Sequence, residues 1–208
     1  MNYLFVHGLG QDSSTWKKTI DTMELNSHVS CPDLFSLLGT CDPTYNNLYR
    51  LFFEYCNDFR GPINLCGLSL GAVLSLNYAL DRPEKVNSLI LIGAQYKMPK
   101  LLLALQNIMF YFMPKSVFLK IGTDKERFIR LMKSMRHLDF TERLVEIQCD
   151  SLILCGEKDV ANKRASKYLS KHIKEARSII IKDAGHELNI DSSSKLSVIM
   201  DDFWSNTK

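Results

Sequence analysis

Ser69 stands in Gly67-Leu68-Ser69-Leu70-Gly71, a G-x-S-x-G pattern. The apolar run Ile63-Asn64-Leu65-Cys66 leads straight into it, and a helical pattern follows to about Asp81-Arg82-Pro83. Five residues with three fixed positions recur by chance; the strand–turn–helix setting is what gives the pattern meaning. A turn this tight holds its serine in strained backbone geometry, with the hydroxyl exposed above a sheet edge and small residues on either side avoiding clashes. The backbone N–H of Leu70 is then available to negative charge developing on a substrate oxygen. A glycine turn with an incidental serine is the bland alternative, and the setting disfavours it.

Serine is a weak nucleophile unless a base takes its proton. His186, in Ala184-Gly185-His186-Glu187, follows the last apolar run and so falls at the same sheet edge as Ser69. His28 precedes a strand, His137 lies in a helical stretch and His172 sits on a lysine-rich helix, placements that suit packed or solvated rings. A base of this kind needs an acid to fix its tautomer and stabilise the imidazolium. Asp159, in Gly156-Glu157-Lys158-Asp159, follows the preceding strand at the same edge. Placement favours it over Asp183, which ends a strand, and over Glu157, which points back into its turn. The expectation is that Ser69 meets His186, and His186 meets Asp159, above one sheet rim.

His7-Gly8-Leu9-Gly10 closes the first apolar run. Its glycines let the loop pass close to the serine and offer a second backbone N–H, that of Leu9, to complete an oxyanion hole with Leu70. His7 itself suits a ring that ties the loop down better than it suits a base.

These groups need a scaffold of alternating elements. Short apolar runs at 3–6, 28–31, 63–66, 88–92, 151–155 and 178–181 read as strands. Between them fall helical patterns, one of them capped by Asp12-Ser13-Ser14 and running from Trp16 to about Leu25. Another starts with Pro43 in its first turn and carries Leu48, Leu51, Phe52 and Tyr55 on one face. A third spans roughly Asn162 to Ile173, and the last runs from about Ser193 to Trp204. Continuous apolar strands separated by amphipathic helices predict a doubly wound α/β fold, with a mostly or wholly parallel sheet covered on both faces. The stretch from Gly93 to Gln148 has helical patterns and no strand, and reads as a helical cap inserted at 95–147 within one domain of 208 residues.

With HGLG at 7–10, GLSLG at 67–71, CGEKD at 155–159 and AGHE at 184–187, in that order, the sequence resembles the α/β-hydrolase superfamily over nearly its whole length. Its small bacterial esterase-like and lyase-like members are the nearest in kind. The resemblance implies a Ser69 nucleophile, a His186 base, an Asp159 partner and no metal or cofactor. It also brings two departures. Members usually begin with two further strands, so six parallel strands are expected here. Many carry histidine or another polar residue before the nucleophile, where this chain has Leu68, which would make the pocket floor more apolar.

The substrate class follows from the insertion. Leu101 to Met113, LLLALQNIMFYFM, is the most apolar part of the chain, and a cap helix built from it would offer adaptable methionine and aromatic walls. A small or medium carboxylic ester with an apolar acyl group is the expected partner, cleaved through an acyl-enzyme. Cofactor-free lyase or C–C bond hydrolase chemistry is the rival reading, and a non-catalytic binding protein on the same fold is another. Lys97, Lys100, Lys115 and Lys120 flank the apolar run, so contact with a membrane surface is a further alternative to the cap.

Composition bounds the rest. The chain is 46% hydrophobic and 24% charged, with 26 basic against 23 acidic residues, for a net charge of +3. That is ordinary globular composition without the clustered positive field of a nucleic-acid binder. The cationic helix at 163–174 reads as a solvated face. No run reaches the length of a spanning helix, and Met1-Asn2-Tyr3 leads into a strand rather than a secretory signal. Six scattered cysteines without a C-x-x-C pair suit reduced thiols and a cytoplasmic setting.

Overall fold

The computed structural model describes residues 1–25, 28–99, 110–120 and 123–207. Six strands form one sheet: β1 (Asn2–Val6), β2 (His28–Ser30), β3 (Ile63–Leu68), β4 (Val86–Ile92), β5 (Asp150–Gly156) and β6 (Ala176–Ile181). Their order is β2-β1-β3-β4-β5-β6 and every pairing is parallel, as the run of apolar segments predicts.

Period-two alternation divides the strands between two cores. Leu4, Val6, Leu65, Leu89, Leu91 and Ile153 point to one face, under α2 (Leu34–Leu38), α3 (Tyr45–Asn57) and α4 (Leu70–Asp81). Tyr3, Phe5, Cys66, Ile90, Ile92, Leu152 and Leu154 point to the other. There they meet Trp16, with Leu188 of α8 (Leu188–Asp191) and Leu196, Met200 and Phe203 of α9 (Ser193–Ser205). Every residue of α4 from Leu70 to Leu80 is buried, which is how a helix apolar on all sides comes to rest between layers.

Local chemistry sets the element ends. The Asp12 carboxylate accepts the Ser14 N–H at 2.8 Å, capping the first helical segment as expected. That segment stops at the end of α1 (Lys17–Ile20), short of the predicted Leu25. Thr22 Oγ1 bonds back to the carbonyls of Lys18 and Thr19, so a hydroxyl competes with the helical ladder. Pro43 lies outside α3 rather than in its first turn, because the Thr44 hydroxyl takes the capping position and accepts the Asn47 N–H at 3.3 Å. The buried face of α3 is Tyr45, Leu48, Phe52 and Cys56, with Leu51 and Tyr55 half-buried beside it.

Between β4 and β5 the described residues hold α5 (Lys115–Lys120), α6 (Lys125–Ser134) and short 3-10 turns. They contain no strand, only a single antiparallel bridge between Lys97 and Asp139. Most of the apolar run, 101–109, falls outside the described residues. Phe118, Phe128, Leu131, Met132 and Met135 pack into the same core as α4. The cationic stripe of α7 (Val160–His172) is outward-facing, while Asn162, Ala165, Ser166 and Leu169 are buried. Among the described residues no helix is long and apolar enough to cross a membrane.

Candidate active site

The carboxyl ends of β1, β3, β4, β5 and β6 lie at one rim of the sheet, where a parallel α/β fold presents its loops. Ser69 joins β3 to α4 with φ +54° and ψ −113°, a backbone conformation that L-residues rarely adopt. Its N–H donates to the Ile92 carbonyl at 2.9 Å, anchoring the turn to the end of β4. The flanking glycines are required by space: a Cβ on Gly67 would lie 2.3 Å from the Gly71 carbonyl oxygen, and one on Gly71 2.2 Å from that of Val6. This is the strained strand-to-helix turn read from the sequence.

His186 follows β6, and its Nδ1 lies 2.7 Å from Asp159 Oδ2. Asp159 is 6% exposed and sits at the N-terminal end of α7, where the helix dipole favours its negative charge. Burial would raise its pKa, yet hydrogen bonds from His186 and from the Asn162 side chain outweigh that and hold the carboxyl below its ordinary value. The same bond, with help from Glu187 and Asp191 and against burial, raises His186 above its ordinary 6.5. An ionised carboxylate only accepts, so Nδ1 carries the proton and Nε2 of the neutral ring is left basic.

Ser69, Asp159 and His186 all line one cavity of about 410 Å³, together with Leu9 and Leu70. Among the described residues no hydrogen bond joins the Ser69 hydroxyl to His186. Such bonds are commonly long before substrate is bound and tighten in the complex. Neither the Leu9 nor the Leu70 N–H donates to another described residue. Leu70 is the first residue of α4, so its N–H has no acceptor within the helix. The remaining wall is mostly apolar: Val73, Met98, Pro99, Phe110, Met132 and Met135. Among the described residues lining it, none is a lysine or an arginine. Leu68 does not reach this wall. It is buried with Phe5, Trp16 and Ile92 on the opposite face of the sheet, so the expected apolar contribution to the floor comes from Leu70 and Val73 instead.

The other candidates have different partners. His7 is 1% exposed, accepts the Leu34 N–H on Nε2 at 3.0 Å and donates from Nδ1 to the Gly8 carbonyl at 2.9 Å. Burial lowers its pKa and keeps it neutral, so it ties the loop down. His28 and His137 are exposed, and His172 stacks on Tyr168 with ring centroids 3.8 Å apart. Asp183 is exposed at φ +63°, and its N–H donates to Glu157, which accounts for both rival acids.

Several residues here were not singled out in the sequence. Asn162 donates to both Asp159 oxygens at 2.9 Å, and Gln95 donates to Asn162 Oδ1 at 2.7 Å. The spacing D-x-x-N at a helix start was the available signal, since residues three apart share a helix face. Gln11 and Asn189, both buried, bond to one another and so connect the loop after β1 to the segment after His186. Among the described residues no group of three or more His, Cys, Asp or Glu is placed to hold a metal ion. A larger cleft of about 880 Å³ beside α5 and α6 shares no lining residue with the Ser69 cavity.

A parallel sheet wound on both faces, with a serine on a strained turn and a histidine–aspartate pair across the same rim, defines the α/β-hydrolase fold class. The sequence profile of the alpha/beta hydrolase family matches residues 3–196, and the chain belongs to that family. No protein of curated function matches the sequence. Among solved structures, MenH from S. aureus is similar with a TM-score of 0.83 at 18% identity, over 100% of this chain and 94% of that one. The enol-lactonase from Burkholderia xenovorans LB400 gives 0.82 at 16%, over 99% and 91%. A thermophilic esterase from Thermogutta terrifontis gives 0.77 at 19%, over 100% and 90%. These likenesses establish the shared fold.

Proposed function

We propose that the chain is a serine hydrolase that cleaves small or medium carboxylic esters with apolar acyl groups. The observation that carries this reading is the 2.7 Å bond between His186 Nδ1 and Asp159, in a cavity that Ser69 also lines. His186 Nε2 takes the Ser69 proton as the hydroxyl oxygen attacks the ester carbonyl. The N–H groups of Leu9 and Leu70 hold the tetrahedral oxyanion, a contribution of about 3–4 kcal/mol for each donor in comparable enzymes. His186 then returns its proton to the leaving alcohol, and water, activated by the same nitrogen, releases the acid from Ser69.

The walls support an uncharged acyl group over an anionic one. Met98, Met132, Met135 and Phe110 belong to the segment 95–147, which we read as a cap supplying the acyl-binding side. A carboxylate-bearing substrate of a lyase or C–C hydrolase would call for a cationic partner, and the described lining holds none. All six cysteines are free thiols, which supports a reducing, cytoplasmic setting.

Purified protein assayed against p-nitrophenyl esters of increasing acyl length tests the proposal. The expected result is a kcat/KM optimum at short to medium chains. Phosphonylation of Ser69 by a fluorophosphonate without turnover of any ester would overturn it in favour of lyase-type chemistry.

A further inference from the structure

Asn162 stands between the cavity wall and the acid. It is 8% exposed, and its Nδ2 lies 2.9 Å from each oxygen of Asp159 and 3.2 Å from Nδ1 of His186. Its carbonyl oxygen accepts from Gln95 Nε2 at 2.7 Å, and Gln95 Nε2 also donates to the Ala161 carbonyl at 3.3 Å. A side-chain amide can be turned either way in its plane, so its orientation must be argued from its neighbours. Here both ends agree. The Ala161 carbonyl demands a donor from Gln95, the same NH2 group reaches Asn162 Oδ1, and the NH2 of Asn162 is left facing an acceptor-only carboxylate. Gln95 itself lines the cavity.

We propose that Asn162, pinned by Gln95, is a positioning residue for the Asp159–His186 pair. Its amide shares the carboxylate with the imidazole, fixes the plane of that carboxylate, and draws off part of the negative charge that would otherwise act on His186. This rests on the reading of Ser69, His186 and Asp159 as the reacting set. The charged groups acting on His186 are Asp159, Glu187 and Asp191, and the Cys155 thiol lies 3.8 Å from the Asp159 carbonyl oxygen. None of these can replace the shared contact that Asn162 Nδ2 makes with both oxygens of the acid.

The consequence has a definite sign. A carboxylate with fewer donors holds an imidazolium more strongly, so removing the amide moves the proton affinity of His186 upward. In Asn162→Leu, kcat falls about ten- to hundredfold, the scale of a lost hydrogen bond to a charged group, while KM changes by less than about twofold. The acid limb of kcat/KM moves to higher pH. Gln95→Met, at a half-buried site, leaves the amide free to turn and shifts the limb in the same direction by less. In the Asn162→Leu background Gln95→Met adds nothing, because the two act in series.

The experiment combines these profiles with thermal unfolding and with NMR titration of the His186 ring nitrogens, which needs no turnover. Moved acid limbs and a moved titration in folded variants are the expected result. Wild-type profiles and titration in Asn162→Leu overturn the proposal; if that variant does not fold, the same outcome in Gln95→Met overturns it. An unmoved His186 alongside ester turnover in the parent protein would sink the positioning role alone. Absent turnover with a moved titration would sink the esterase reading alone.

Discussion

Gly93 and His186 fit together with no room for a side chain between them. A Cβ on Gly93 would lie 2.7 Å from Cε1 and 2.8 Å from Nδ1 of the imidazole, and 3.3 Å from Asp159 Oδ2. The residue also has φ +55°, directly after β4, with its N–H bonded to the Leu154 carbonyl at 2.9 Å. Gly93→Ala therefore carries two penalties. The left-handed backbone costs about 1–2 kcal/mol in stability. The displaced ring costs about hundredfold in kcat/KM, the scale of a misplacement of about 1 Å. Ester kinetics together with urea unfolding separate the two; activity within about twofold of the parent would contradict the contact.

The histidine–aspartate pair fixes a pH dependence. The hydrogen bond to Asp159 is the largest influence on His186 and raises it above 6.5, and a general base works only when neutral. The acid limb of kcat/KM should therefore have its midpoint above 6.5. Asp159→Asn removes the charge, lowers that midpoint and cuts kcat about ten-thousandfold by losing the correct tautomer. For stability the sign is opposite. A histidine raised in the folded state contributes stability that is fully present below its unfolded pKa and lost as pH rises through the folded one. An acid limb below 6.5 in the parent protein would contradict the pairing.

Gln11 and Asn189 connect the loop after β1 to the segment that follows His186. Gln11 Nε2 donates to Asn189 Oδ1 at 3.3 Å, Asn189 Nδ2 donates back to Gln11 Oε1 at 3.2 Å, and that oxygen also accepts the Gly8 N–H at 3.3 Å. Gln11→Leu removes both bonds that Gln11 exchanges with the buried Asn189 amide, which keeps the Thr15 carbonyl, and the acceptor of the Gly8 N–H, at a cost of about 2–4 kcal/mol. Replacing both Gln11 and Asn189 by leucine costs less than the sum of the single changes. Urea midpoints of the three variants decide it, and strict additivity would contradict the coupling.

The parts of the site visible in the sequence are those bound to a local pattern. Gly67, Ser69 and Gly71 could be read because the tight turn demands small residues at fixed offsets, and the apolar run before them gives the strand. His186 and Asp159 could be read because parallel strands bring the residues that follow them to one rim. Asn162 and Gln95 were hidden. Asn162 lies within a lysine-rich helix whose composition signals only a solvated face, and Gln95 meets it from 67 residues away in the chain. Gln11 and Asn189, 178 residues apart, are legible only after the loops are folded together. Leu68 misled for the opposite reason: as the last residue of β3 it alternates with Cys66 onto the face that holds Phe5 and Ile92, and the turn at Ser69 begins only after it, so adjacency in the chain does not bring it into the cavity.

Ser69 as the nucleophile is the claim on which the rest depends. Parent protein and Ser69→Ala are each treated with a fluorophosphonate, mapped by peptide mass spectrometry, and assayed with p-nitrophenyl butyrate. The account predicts one phosphonyl group on the Ser69 peptide of the parent, none on Ser69→Ala, and a kcat about a millionfold lower in the variant. Ester hydrolysis by Ser69→Ala at the parent rate, or a phosphonyl group on another residue, would contradict it.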